Sequence, residues 1–381
     1  MIVAAIIVVV GLSMSLAAVQ LADLRLSGVL VIPLVALYTL YSFETLPLFI
    51  ASTALAYAAI SVVKRRTLLF RRKLLLTGMV AGAAASVSLA SVLTLFDNPL
   101  QHGYGVVFVG SILPGIAAYN YHRLDGSKVV EDIAFSGAAL VGLLGLGFGL
   151  VTPTTAATLG QLTPTVLFSP VSDVAVISDA VVFHAVEGTV FPRGVALLVI
   201  LLGFTVAEAV HHRWNVRLSG TVTLPLLALF SVDFPMMVLF FAASFAAVFG
   251  AVALVNWSTL LYGRVLLTVA VLLGTVLAVP VGFIVSTPGF IVLFTGMFGG
   301  IAAYNLHRVA PIERLTAIQL SSGLFASLFV VSWLALTPNS LAAISRTDFS
   351  IVAVWVGAVL LAILAVVQLE RPSHPEEVST L

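Results

Sequence analysis

The chain has 381 residues, of which 61% are hydrophobic and only 9% charged, with a formal net charge of +1. A soluble domain carries about 25% charged residues and needs polar groups to face water, so an ordinary soluble protein is excluded; the balanced charge offers no field for nucleic acid. There is no cysteine, which removes disulfides, thiolate chemistry and Cys-based metal centres.

The first apolar run begins at Ile2 with no basic residue before it. A secretory signal needs a positive leading segment and a small-residue cleavage site, so residues 2–22 read as a retained first helix. Further runs follow at about 27–43, 46–63, 74–96, 104–120 and 133–151. Crossing roughly 30 Å of hydrocarbon takes about 20 apolar residues in a helix. The runs are continuous, not alternating, which favours helices over barrel strands. Residues 152–194 form the longest break, with Asp173, Asp179 and Glu187 and two apolar pieces at 171–177 and 180–186. These pieces suit either a small cap or an interfacial segment. Spans resume at about 195–212, 218–232, 236–256, 265–285, 289–305 and 315–336, and a last one lies near 350–369.

Two spans are short and carry proline, Pro33 in one and Pro225 in the other. They read as broken or re-entrant helices, which a membrane tolerates only where protein or water covers the freed backbone. Pro114-Gly115 inside the fifth span and Gly299-Gly300 inside the eleventh weaken the helical ladder. They allow a kink or a close helix approach.

Comparing the chain with itself shows a repeat. Arg25-Leu26-Ser27-Gly28, followed by Pro33-Leu34, returns as Arg217-Leu218-Ser219-Gly220, followed by Pro225-Leu226, at an offset of 192. Arg72 with Leu74-Leu75 returns as Arg264 with Leu266-Leu267. Gly115-Ile116-Ala117-Ala118-Tyr119-Asn120-Tyr121-His122-Arg123 returns as Gly300-Ile301-Ala302-Ala303-Tyr304-Asn305-Leu306-His307-Arg308, at an offset of 185. The expected fold is therefore all-α: a polytopic helical membrane protein of two parallel six-helix repeats plus one C-terminal transmembrane helix, about 13 spans. The units are 1–151 and 195–336, joined by an extracytoplasmic linker at 152–194. The extra helix falls within 337–369, and a cytoplasmic tail follows at 370–381.

Lys and Arg near span ends favour the cytoplasm. On this layout one side receives nearly all of them, from Arg25 and Lys64-Arg65-Arg66 through Arg71-Arg72-Lys73 to Arg308 and Arg314. Only Arg193 and Arg346 fall opposite. This places a multi-pass protein in the plasma membrane with its N-terminus outside and its C-terminus in the cytoplasm.

Several residues are candidates for chemistry. Asn120 and Asn305 can cap helix C-termini, and His122, Arg123, His307 and Arg308 suit the negative dipole end there. The same residues, with Arg72 and Arg264, can instead form a cationic rim that binds a polyanion or docks a partner. Glu208 is a carboxylate inside a span, costly unless it snorkels or pairs, with His211, His212 and Arg213 as near partners. The basic loop at Lys64–Arg66 and Arg71–Lys73 is either a topology determinant touching anionic lipid or a docking site. His211-His212 is too little for a metal, and no phosphate loop, dinucleotide fingerprint or catalytic triad can be assembled. No metal and no cofactor is expected, and catalysis by this chain alone is not.

At these motifs the chain resembles the membrane subunit of poly-gamma-glutamate synthase, the PgsC/CapC family. The resemblance runs through Ser27-Gly28 to Ala36-Leu37, Phe70-Arg71-Arg72-Lys73-Leu74 and Gly110-Ser111-Ile112-Leu113-Pro114-Gly115-Ile116-Ala117-Ala118. In the second unit it runs through Ala207-Glu208, Ser219-Gly220, Leu261-Tyr262-Gly263-Arg264 and Gly300-Ile301-Ala302. Each unit is about as long as one family member, so the chain looks like a tandem duplication. The resemblance implies a non-catalytic subunit that helps make or export a gamma-linked glutamate polymer. Its partners would be a cytoplasmic ATP-dependent ligase, which activates the carboxylate as an acyl phosphate, and other synthase membrane subunits. Two six-helix halves also suit a secondary transporter or permease, and a scaffold without transport is a third reading.

Overall fold

The structure, a computed structural model, describes residues 1–67, 69, 72–95, 111–182, 193–285, 287–336 and 349–370. Phe70, Arg71, Gly110, Glu187, Arg346, the first part of the expected fifth span and the tail after Glu370 lie outside them. Every regular element among the described residues is helical. The first set is α1 (Ile2–Ala22), α2 (Val31–Tyr41), α3 (Thr45–Arg66), α4 (Arg72–Leu95), α5 (Leu113–Tyr121) and α6 (Gly126–Leu150). Two short linker helices follow, α7 (Pro153–Leu159) and α8 (Asp173–Ile177). The second set is α9 (Arg193–Trp214), α10 (Thr223–Asp233), α11 (Met236–Thr259), α12 (Gly263–Gly282), α13 (Gly289–His307) and α14 (Arg314–Leu336), and α15 (Phe349–Glu370) closes the chain.

Among the described residues nine helices are long and apolar enough to cross a membrane. α2 and α10 are not, at 11 residues each. At about 1.5 Å per residue such a helix covers roughly half the hydrocarbon thickness. Its ends must therefore be covered by protein, and α2 is buried along its whole length. Pro33 and Pro225 are the third residues of these helices. First-turn N–H groups have no intrahelical acceptor, so proline costs nothing there. Each proline packs on a glycine of the helix before it, Pro33 on Gly11 and Pro225 on Gly203.

In the first set α3, α4 and α5 pack as one group and α1, α2 and α6 as another. The second set repeats this with α11, α12 and α13, and with α9, α10 and α14; α15 lies on α14. The two sets meet reciprocally: α1 of the first packs on α12 of the second, and α9 of the second packs on α4 of the first. α13 is buried along almost its entire length. Tyr38 of α2 stacks on its Phe290 and Phe294 with ring centroids 6.2 and 5.9 Å apart.

Glycines set the closest approaches. A Cβ on Gly115 would run into the carbonyl of Gly78 in α4, and one on Gly300 into the carbonyl of Ala270 in α12. Gly299 and Gly300 do not break their helix, because α13 runs through them without interruption; they let neighbouring backbones come close. Pro114 is the second residue of α5, a first-turn position, so it opens that helix and does not kink it.

Between the cap and interfacial readings of the linker, its described part packs as a cap. Val166, Leu167, Phe168 and Val174 are buried in the main core. The Asp173 carboxylate accepts the Phe43 N–H at 2.7 Å, covering the far end of α2. Glu44 stands beside it, and burial together with the Asp173 charge holds the Glu44 carboxyl above its usual range. Outward-facing Leu239, Leu254, Val141 and Phe148 are exposed on the long helices, as lipid-facing residues are expected to be.

Candidate functional site at the basic end

The segment joining α1 to α2 carries left-handed backbone at Asp23, Leu26, Ser27 and Gly28, with φ of 51°, 45°, 60° and 131°. L-residues rarely adopt this region. Here it turns successive N–H groups to one side, a concavity that attracts anions. The anion is internal. The N–H groups of Arg25, Leu26 and Ser27 donate to the Asp132 carboxylate at 2.6, 2.8 and 2.9 Å, and Asp132 is fully buried. Ser27 bonds the Tyr121 hydroxyl and donates to Ser136 Oγ at 3.1 Å. Asn120 donates to the Ser27 and Ile116 carbonyls, both at 3.0 Å. Asn120 thus ties α5 to this segment and does not cap it; the residue at the C-cap is His122.

The matching segment of the second set is built differently. Ser219 N–H donates to Ser321 Oγ at 3.2 Å and the two hydroxyls bond at 3.2 Å, answering Ser27 and Ser136. Ala317 stands in register with Asp132, and Leu218 and Ser219 are not left-handed. Asp132 escaped sequence reasoning because it precedes the apolar run drawn from 133. The Asp125-Gly126 turn, where α6 begins, is the signal that brings it onto the helix.

The arginines fall into two related clusters where the sets meet. Arg72 at the start of α4 pairs with Glu208 of α9, Nε to Oε2 at 3.4 Å, with side chains 28% and 25% exposed. Glu208 therefore pairs across the two sets and not with His211, His212 or Arg213. Arg213 instead bonds Glu370 at 3.0 Å, as does Trp214 Nε1. Arg217 lies near enough for its charge to bear on Arg72.

The second cluster is the exchanged counterpart. Arg264 at the start of α12 and Arg25 line one cleft of about 520 Å³ with Asp23 and Tyr262. Arg264 also lines an adjoining cleft of about 540 Å³ with Asn256, Tyr304, His307 and Arg308. Burial, then the charges of Arg264 and Arg123, hold the Arg25 guanidinium below its ordinary value. Among the described residues none of Arg25, Arg123 and Arg264 forms an ion pair, and Asp23 is engaged by Lys128 at 3.6 Å.

The remaining candidates lie at the ends of α5 and α13. His122 stacks on Tyr57 at 4.0 Å and contacts the Tyr57 carbonyl at 3.0 Å and Ser61 Oγ at 3.2 Å. Arg123 lies over Tyr119 at 5.8 Å and Arg308 over Tyr304 at 5.6 Å, the same arrangement twice. His307 meets Phe249 edge-on, and its carbonyl accepts from Arg314 at 3.0 Å. Asn305 is half-buried in the last turn of α13, whose C-cap residue is Arg308. The structure thus joins Arg264, His307 and Arg308 in one site, and leaves Arg72 in an ion pair elsewhere.

A family model described as capsule biosynthesis CapC matches the chain over residues 10–130 and 202–315, together more than half of it. Each match begins inside the first helix of a set and ends within the sixth, as a duplicated unit would give. No curated protein and no solved structure matches the chain.

Proposed function

The chain belongs to the capsule biosynthesis CapC family, and from that premise we propose that it is the membrane subunit of a complex that makes and passes a gamma-linked glutamate polymer. In this reading a cytoplasmic ATP-dependent ligase forms each amide, and the basic end of the helices holds that ligase and receives the polyanion. The basic end then faces the cytoplasm, as the concentration of Lys and Arg there favours, and the linker cap lies outside. The observation that supports the reading is the pair of adjoining clefts sharing Arg264, in which Arg25, Arg264, His307 and Arg308 outnumber the one lining acid, Asp23, itself engaged by Lys128. Such a predominantly cationic surface concentrates an anionic chain.

The residues divide by their present engagements. Arg123, Arg264 and Arg308 are available to a polyanion. Asn120 and His122 shape the rim through their own bonds. Arg72 is already neutralised by Glu208, which also removes Glu208 as a free coupling carboxylate for a transporter.

The test is to change Arg123, Arg264 and Arg308 to Gln together and measure polymer output and ligase co-purification. Loss of either, with the protein folded, is expected. Undiminished output together with intact ligase docking would sink the reading.

A further inference from the structure

We propose that the two sets offer one carboxylate-binding position and not two: the cleft at Arg25 and Arg264 accepts a carboxylate of an exogenous acidic oligomer, while its counterpart at Arg72 is closed by the protein's own Glu208. This rests on the reading of the basic end as a polyanion-binding surface and names what separates its two halves.

The two positions are built from matching parts. Arg72 answers Arg264 and Arg217 answers Arg25, each at the offset of 192. α9 lies against α4 as α1 lies against α12. The residue answering Glu208 is Leu16. One position thus carries a carboxylate at 3.4 Å from its arginine, and the other carries an alkyl group in the same register. Among the described residues, neither acid near the open position forms an ion pair with Arg25 or Arg264, although Asp23 lines the cleft. Asp132 is held by three backbone N–H groups, and Asp23 by Lys128.

The open position also has what a carboxylate needs. Arg25 Nη1 is buried without a hydrogen-bond partner. The helix α12, 20 residues long, starts in the cleft, so its first N–H groups and dipole face the same space. The volume, about 520 Å³, lies within the usual range of roughly 300–1,000 Å³ for ligand sites. Arginine can pair with a carboxylate through two parallel N–H bonds; Glu208 approaches Arg72 at Nε alone and leaves Arg72 Nη2 without a hydrogen-bond partner among the described residues.

The test uses the full chain in lipid nanodiscs and a fluorescein-labelled gamma-linked glutamate hexamer, read by anisotropy and by titration calorimetry. The wild type is expected to bind one hexamer per chain. Arg264→Ala and Leu16→Glu should each weaken binding about tenfold or more, and Arg72→Ala by less than about twofold. Glu208→Gln should raise the stoichiometry from one to two. Thermal unfolding identifies any variant that does not fold, and if Leu16→Glu is such a variant, the Glu208→Gln stoichiometry decides. Equal losses in Arg72→Ala and Arg264→Ala, or a stoichiometry unmoved by Glu208→Gln, overturn the inference and leave the polyanion reading standing. No binding by either the wild type or Glu208→Gln overturns both.

Discussion

Asp132 shows how much one side chain can carry in this protein. Three N–H groups converge on it at a strained turn, and water cannot replace it because the site is closed. Removing it leaves those donors unpaired, at a cost of about 1–3 kcal/mol each. Asp132→Ala is therefore expected to lose at least about 3 kcal/mol, seen as a large fall in thermal stability in detergent, and Asp132→Asn less. Ala317→Asp should bring no gain, because Leu218 and Ser219 lack the left-handed backbone by which Leu26 and Ser27 aim their N–H groups. Glu44 gives a smaller effect of defined sign. Its carboxyl is held above the usual range in the fold, so its ionised form is disfavoured there, and stability falls as pH rises through that raised value. Glu44→Gln should remove this decline and raise the melting temperature slightly at neutral pH. At this scale the sequence was partly legible. It marked Arg264, His307 and Arg308 through their repetition. It could not pair Arg72 with Glu208, 136 positions away on the other set, because nothing local links them.

Among the elements, legibility followed physical cause. Long helices were readable from continuous apolar runs, since hydrocarbon thickness fixes their length. The short helices were readable from Pro33 and Pro225. Their partners were not, because what covers a half-length helix is decided by tertiary packing: Asp132 at one end of α2, Asp173 at the other. The glycine pairs were readable as sites of weakness, but whether they bend a helix or admit a neighbour depends on what lies opposite. Gly115→Ala and Gly300→Ala should each force two backbones apart and cost about 1–3 kcal/mol, the usual range for overpacking. Gly137→Ala in α6, where a Cβ would meet nothing within 4 Å, is the control and should leave the melting temperature unchanged or higher.

The whole molecule is held together by an exchange: α1 on α12, and α9 on α4. Neither set completes its own surface, so residues 1–182 and 193–381, expressed as separate chains in one cell, should co-purify as a pair. Either expressed alone should be degraded or aggregate. Failure to associate, with both halves present in the membrane, would show that the linker and not this interface joins them. The Arg72–Glu208 pair sits in one of the two contacts, so Glu208→Leu should weaken that association in split chains more than Leu16→Ala does.

The reciprocity of these contacts has an evolutionary reading. An interface that exchanges α1 for α9 and α12 for α4 is the geometry of a symmetric dimer, in which any mutation appears twice. Joining two such copies in one gene frees each face to drift alone. A leucine at position 16 opposite a glutamate at 208, and an aspartate at 132 opposite an alanine at 317, are changes that an ancestor made of identical subunits could not have held on one side only.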